Sequence, residues 1–225
     1  VNAGDLSSLV VAVDGTSGSG KSSTCRAVAE RLGLRYLDTG AMYRAVSWWM
    51  LQHDVDVDEV DEVTAHAHTP QLESGTDPRR PTITLDGVDV SVEIRSDAVN
   101  AAVSPVSTVP AVRARLVELQ RDIIGAGGIV VEGRDIGSVV WPAARLKVFL
   151  TADPSARAAR RAAEAGSTDV TATQESLLNR DRIDSGRAVA PLTMADGAVH
   201  IDTTDLSLDE VVDLIVGLAT APAEA

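Results

Sequence analysis

A chain of 225 residues with 44% hydrophobic content is long enough for one sizeable core with an inserted subdomain, and no apolar run approaches the roughly 20 residues needed to span a bilayer. A net charge of −13 argues against a nucleic-acid polymer as partner, but local arginines leave small anionic substrates open. One cysteine excludes an internal disulfide and a thiolate metal cluster. Val1-Asn2-Ala3-Gly4-Asp5 has neither the basic nor the apolar region of a signal peptide, so the expected compartment is the cytoplasm.

In chain order, residues 9–13 are an apolar run that predicts a buried strand. Gly15-Thr16-Ser17-Gly18-Ser19-Gly20-Lys21-Ser22 follows and matches G-x-x-x-x-G-K-[ST]. Residues 22–32 predict a helix, with Cys25, Val28, Ala29 and Leu32 on one stripe. The motif thus lies between a strand and a helix N-terminus, where backbone N–H groups and the helix dipole attract phosphate. Only Lys21 and Lys147 among the 20 basic residues are lysines. A flexible point charge is what this loop position needs, rather than a planar fork. Lys21 is expected to reach the β- and γ-phosphates of a nucleotide, and the Ser22 hydroxyl to ligate Mg²⁺. Cys25 is expected to be a small buried residue.

Residues 34–37 predict a brief strand leading into Asp38-Thr39-Gly40, then a helix over 41–53 in which Trp48 and Trp49 serve packing. An acidic stretch over 54–62 leads into a short helix, and residues 70–81 read as polar and turn-rich. Asp86-Gly87 between alternating residues predicts a hairpin over 82–90, part of an insertion spanning about 65–105. A helix over 109–124 stops at Gly125-Ala126-Gly127-Gly128. Strands are expected over 129–131, 146–150 and 199–202, and helices over 154–165, 171–186 and 207–218. Ser207 and Glu210 form a capping box for the last helix. Residues 1–8 and 220–225 read as loose tails. This alternation implies an α/β fold with a parallel, doubly wound core sheet.

The class of phosphate-binding protein is narrowed by what else the chain carries. A guanine reader such as Asn-Lys-x-Asp is absent, because Leu146 precedes the other lysine. Arginines scattered through later segments fit a kinase of small metabolites, since phosphoryl transfer needs positive charge at several points. Arg44 ends Asp38-Thr39-Gly40-Ala41-Met42-Tyr43-Arg44, and Arg134 follows a strand end, where open α/β sheets bind ligands. Arg157, Arg160 and Arg161 share one helix, and Arg180, Arg182 and Arg187 cluster with Asp181 and Asp184. Arg160 with Glu164 also fits an ordinary surface pair. None of His53, His66, His68 and His200 is required, because a phosphate nucleophile is already anionic at neutral pH.

Five segments together resemble the bacterial cytidylate kinases: the phosphate loop, the Asp38–Arg44 motif, Leu85-Asp86-Gly87-Val88-Asp89-Val90-Ser91-Val92-Glu93-Ile94-Arg95, Gly133-Arg134-Asp135-Ile136-Gly137, and Arg187-Ala188-Val189-Ala190-Pro191-Leu192. They fall in the family's order across nearly the whole chain. The resemblance implies a P-loop nucleoside monophosphate kinase that moves phosphoryl from ATP, with Mg²⁺, to CMP or dCMP. It implies a core over 1–64 and 106–225, an enlarged monophosphate-binding insertion over 65–105, and a lid over about 153–168. ATP would be held by Gly15, Thr16, Ser17, Gly18, Ser19, Gly20, Lys21, Ser22 and Ser23. Cytosine would be read by Ser104, Arg113 and Asp135. The sugar would meet Arg180 and Asp184, with Thr39 and Tyr43 nearby, and the acceptor phosphate would meet Arg44, Arg134 and Arg187. Lys21, Arg134, Arg157, Arg161 and Arg187 would carry catalysis, with Arg160 also in the lid. Thr16 stands where the family usually has proline, and Thr39 where serine is common. A monomer free of membrane and nucleic acid is expected. A kinase of another small metabolite, or a nucleotide-binding protein without turnover, remains an alternative.

Overall fold

Four apolar residues in succession, Val10 to Val13, open strand β1 (Val10–Gly15), which is buried along its whole length in a computed structural model that describes residues 6–165, 169–187 and 190–221. A strand this apolar on both faces is stable only where both faces are covered. The sheet accordingly runs β2 (Arg35–Asp38), β6 (Ile129–Glu132), β1, β7 (Leu146–Thr151), β8 (Val199–Asp202). β1 is parallel to both β6 and β7, and β7 is parallel to β8. The expected parallel, doubly wound sheet is therefore the architecture found. Strand order reverses around β1, so the loops after β1, β6 and β7 share the C-terminal edge where such sheets bind ligands.

Two compact units divide the chain, one running to Tyr36 and resuming at Ala126, the other covering Leu37–Gly125. In the first, α1 (Lys21–Leu32) and α8 (Leu208–Thr220) pack together and supply Cys25, Val28, Ala29, Val211, Val212 and Ile215 to the core beside Val11, Val13, Val130 and Val148. Cys25 is fully buried there, as its place on the stripe predicts. The Ser207–Glu210 capping box starts α8 as expected. Helices α6 (Pro154–Ala165) and α7 (Val170–Ser185) pack against each other.

The second unit holds α2 (Thr39–Gln52), α3 (Val60–His66), α4 (Asp97–Thr108), α5 (Pro110–Ile124) and a three-stranded sheet of β3 (Leu72–Ser74), β4 (Ile83–Leu85) and β5 (Val88–Asp89). The Asp86-Gly87 turn is present, with φ of 51° and 80°, as a tight hairpin of this kind requires. Two elements depart from the sequence reading. The polar stretch 70–81 contains β3, whose three residues pair antiparallel with β4. Residues 97–108, for which the sequence pattern predicts no element, are α4, begun by the Ser96 side chain accepting from the Val99 N–H and tolerating Pro105 within it.

The expected tails are also shorter than predicted, since residues 6–8 form a 3₁₀ turn and Thr220 closes α8. Residues 1–5 and 222–225 of the tails, the end of the expected lid at 166–168, and Ala188 and Val189 of the last motif lie outside the described residues.

Candidate active site

The phosphate loop is shaped by its glycines. Gly15 ends β1 at φ +148°, and Gly20, at φ 88°, is the N-cap of α1. This turn leaves the first N–H groups of α1 at the loop, where no intrahelical acceptor exists for them. Lys21 Nζ curls back to donate to the carbonyls of Gly15 at 2.9 Å and Thr16 at 2.6 Å. Burial, then the neighbouring Arg134 guanidinium, pushes the Lys21 ammonium down to about 7, opposed by Glu132 and Asp181. A phosphate brought to the loop would reverse that penalty by supplying negative charge.

Two carboxylates that sequence reasoning did not select organise the surroundings. Glu132, buried at the end of β6, accepts from the Ser22 hydroxyl at 3.1 Å through one oxygen and from the Tyr36 hydroxyl through the other. Asp14, buried in β1, accepts from the N–H groups of Ile136 at 2.7 Å and Gly137 at 2.8 Å. Burial raises the Asp14 carboxyl to about 6, with those two hydrogen bonds pulling the other way. The same bonds anchor a π-turn over Ile136–Val140, which follows directly on Arg134 and Asp135. The available signal was an acidic residue inside an otherwise apolar strand, since a carboxylate there needs partners.

The arginines form a second layer. Arg134 donates to the Gly15 carbonyl, places Nε 3.0 Å from Asp184 and Nη2 3.7 Å from Asp181. Asp184 also pairs with Arg187. Arg157 donates to the Ser17 carbonyl at 2.8 Å and pairs with Asp181, which accepts from the Ser17 N–H at 2.9 Å. Arg180 has its pKa pushed down to about 10 by burial and then by Arg134, and its Nε is buried with no hydrogen bond among the described residues. Arg160 is turned elsewhere: it donates to the Thr203 hydroxyl at 2.9 Å and to the carbonyls of Thr203 and Thr204. Arg161 is half-buried, and Ser22 and Ser23 are exposed.

In the second unit, Thr39 is buried at the start of α2, which is capped by Asp38 accepting from the Ala41 N–H at 2.9 Å. Arg44 is held by the Asn100 side chain at 2.8 Å and the Ile94 carbonyl at 3.2 Å. Arg113 is buried on α5, donates to the Ser107 carbonyl at 3.4 Å and lies 5.7 Å from the Tyr43 ring centre. Ser107 in turn donates to the carbonyl of Ser104, itself buried on α4. Tyr43, Ser104 and Arg113 are thus tied within one unit. Asp135 is buried in the first unit.

The four histidines take structural or exposed roles. His53 stacks on Trp49 at 3.9 Å, and His66 lies 5.9 Å from the same ring. His68 is exposed, and His200 pairs with Thr151. Among the described residues no three His, Cys, Asp or Glu side chains gather as metal ligands. A hard cation here would rest on Ser22 and on the ligand's own oxygens. The first unit thus concentrates Lys21, Arg134, Arg157, Arg180 and Arg187 against Asp181, Asp184 and Glu132, an arrangement suited to stabilising transferring phosphate charge.

Comparison with known proteins agrees. A family model described as cytidylate kinase matches residues 11–221. The cytidylate kinase of Streptomyces griseus is 56% identical, over 94% of this chain and 93% of its own. That of Nocardia farcinica is 52% identical over 91% and 90%, and that of Mycobacterium avium 45% over 96% and 97%. Among solved structures, an uncharacterised protein from Eubacterium ventriosum shares the fold, with a TM-score of 0.52 at 11% identity over 95% of this chain and 99% of that one.

Proposed function

Because the chain belongs to the cytidylate kinase family, we propose that it transfers the γ-phosphoryl group of ATP to CMP or dCMP, giving ADP and CDP or dCDP. The observation that carries this reading is the concentration of Lys21 and four arginines around the loop that a helix N-terminus already makes attractive to phosphate. The acceptor phosphate oxygen is the nucleophile and needs no general base. The barrier is the approach of two anions, and positioned cations offset it.

In this reading Gly15 to Ser23 cradle the ATP phosphates, and Lys21 moves from the loop carbonyls to the β- and γ-phosphates. Arg134 and Arg187, with Arg44, hold the acceptor phosphate. Arg157 keeps donors beyond those used on Ser17 and Asp181, and with Arg161 it faces the transferring group from a lid over about 153–168. Asp184 and Arg180 hold the sugar, with Thr39 and Tyr43 nearby. Ser104, Arg113 and Asp135 read cytosine, Asp135 accepting from the exocyclic amine that uracil lacks. The insertion over about 65–105 belongs to the acceptor-binding part. Ser22 and Glu132 present hard oxygen donors beside a phosphate loop, which fits Mg²⁺. When bound, Mg²⁺ neutralises charge on the β- and γ-oxygens. Ser22 would hold it, with Glu132 orienting the Ser22 hydroxyl. No helix among the described residues is long and apolar enough to cross a membrane. In the proposed reading the enzyme is a cytoplasmic monomer.

A coupled assay of ADP release across CMP, dCMP, UMP and AMP tests the proposal. CMP and dCMP are expected to be good acceptors, UMP poor and AMP inactive. Equal kcat/KM for CMP and AMP would overturn it, and nucleotide binding without turnover would mark a non-catalytic relative.

A further inference from the structure

The Ser17 peptide of the phosphate loop is gripped at both ends from outside the loop. Its N–H donates to Asp181 Oδ1 at 2.9 Å, and its carbonyl accepts from Arg157 Nη1 at 2.8 Å. Arg157 and Asp181 are themselves an ion pair, with side chains 5% and 13% exposed, closing a ring through the buried Ser17 peptide. The adjoining Gly18 packs against the same two helices: a Cβ there would lie 3.2 Å from the Arg157 Cβ and carbonyl oxygen and 3.3 Å from Leu177 of α7. Lys21, by contrast, reaches the carbonyls of Gly15 and Thr16. The loop is therefore held at Ser17 and Gly18 by α6 and α7, while its cation and helix N-terminus remain the part directed at ligand.

From this ring we infer that Asp181 is a positioning residue for ATP, holding the phosphate loop in its binding conformation through the Ser17 N–H and holding Arg157 beside it. Asp181 touches no reacting atom; it acts through the Ser17 peptide and the Arg157 guanidinium, with the Arg134 guanidinium a longer contact at 3.7 Å. The inference rests on the loop's reading as an ATP site, and it makes a claim opposite in sign to simple electrostatics. Removing a carboxylate from among Arg134, Arg157 and Arg180 leaves more net positive charge, which by itself tightens binding of a polyphosphate. Loss of the clamp loosens the loop, and the ordering must then be supplied when ATP binds.

The test measures kcat and both KM values for Asp181→Ala and Asp181→Asn, with ATP binding by calorimetry in the absence of acceptor. Asp181→Ala is expected to raise the KM and Kd for ATP about tenfold, as loss of a charge-assisted hydrogen bond and its ion pair warrants, with the KM for CMP within about twofold. Asp181→Asn retains an acceptor for the Ser17 N–H but not the charge, so it should fall between wild type and Ala. Amide exchange at Ser17 and Gly18 in the nucleotide-free protein should quicken in the same order. Unchanged or tighter ATP binding in a folded Asp181→Ala protein overturns the clamp and leaves charge alone in control. An equal rise in both KM values overturns it too, by showing a general loss of structure. Wild-type protein that fails to bind ATP would instead refute the underlying kinase reading.

Discussion

Replacing Gly15 by alanine puts a methyl group into the closest backbone approach of the site. An added Cβ would lie 2.0 Å from the Leu150 carbonyl oxygen and 2.8 and 2.9 Å from its carbon and nitrogen. Non-bonded heavy atoms sit about 3.5–4 Å apart at their optimum, so the facing ends of β1 and β7 must separate by more than about 1 Å. These neighbours are backbone atoms of a paired strand and cannot rotate away. Overpacking of this kind costs about 1–3 kcal/mol. The separation also removes the bond from the Thr16 N–H to the Leu150 carbonyl at 3.2 Å, which contributes about 1 kcal/mol. A total of about 2–4 kcal/mol corresponds to a Tm lower by roughly 5–15 °C in a chain of this size. The Gly15 carbonyl also accepts from Lys21 and Arg134, so both cations move with it. A displacement of about 1 Å at a reacting centre can lower turnover about 10²-fold. Thermal melts and steady-state ADP release read the two effects. Gly33→Ala is the control, since Gly33 has φ 65° with nothing within 4 Å of a Cβ, and only the cost of its backbone conformation, about 1 kcal/mol, applies. A Gly15→Ala protein that melts no lower than Gly33→Ala and turns over normally would refute the reasoning.

Lys21→Ala is expected to lower kcat by at least about 10²-fold with little change in Tm, and near-normal turnover would remove Lys21 from the transferring phosphate. Asp135→Asn should narrow the preference for CMP over UMP roughly tenfold, because a good polar contact to a base is worth about 1–3 kcal/mol of discrimination. Parallel losses on both acceptors would place base reading on Ser104 and Arg113 alone. Asp14 carries a pH signature. Its folded pKa of about 6 exceeds the ordinary 3.8, so ionising it costs the folded state nothing below pH 3.8 and a full penalty above 6. The penalty is on the order of 3 kcal/mol. Asp14→Asn never ionises, so its urea-unfolding stability relative to wild type should rise between pH 4 and 7. Difference curves flat with pH would show that Asp14 is not a strained carboxylate.

The phosphate loop was legible in the sequence because all its determinants are contiguous: an apolar strand, glycines at turn positions, one lysine and a helix. The Asp86-Gly87 hairpin was legible for the same reason, since two adjacent residues carry the backbone conformation the turn needs. Helix α4 was not, because Pro105 and several valines contradict local helix preference, and burial of Val99, Val103 and Val106 outweighs it. Strand β3 was not, because three residues have no periodicity of their own and are strands only through pairing with β4. The arginines could be named from sequence, and so could the nearby Asp184 that pairs with Arg187, but their distant partners could not. Ser17 meets Asp181 across 164 positions, Ser22 meets Glu132 across 110, and Arg134 meets the Gly15 carbonyl across 119. Residue type and local spacing determined which groups could bind phosphate. Only the packing of distant strands and helices decided which carboxylate restrains each cation, because a long, charged side chain takes its direction from whichever buried partner the fold places within reach.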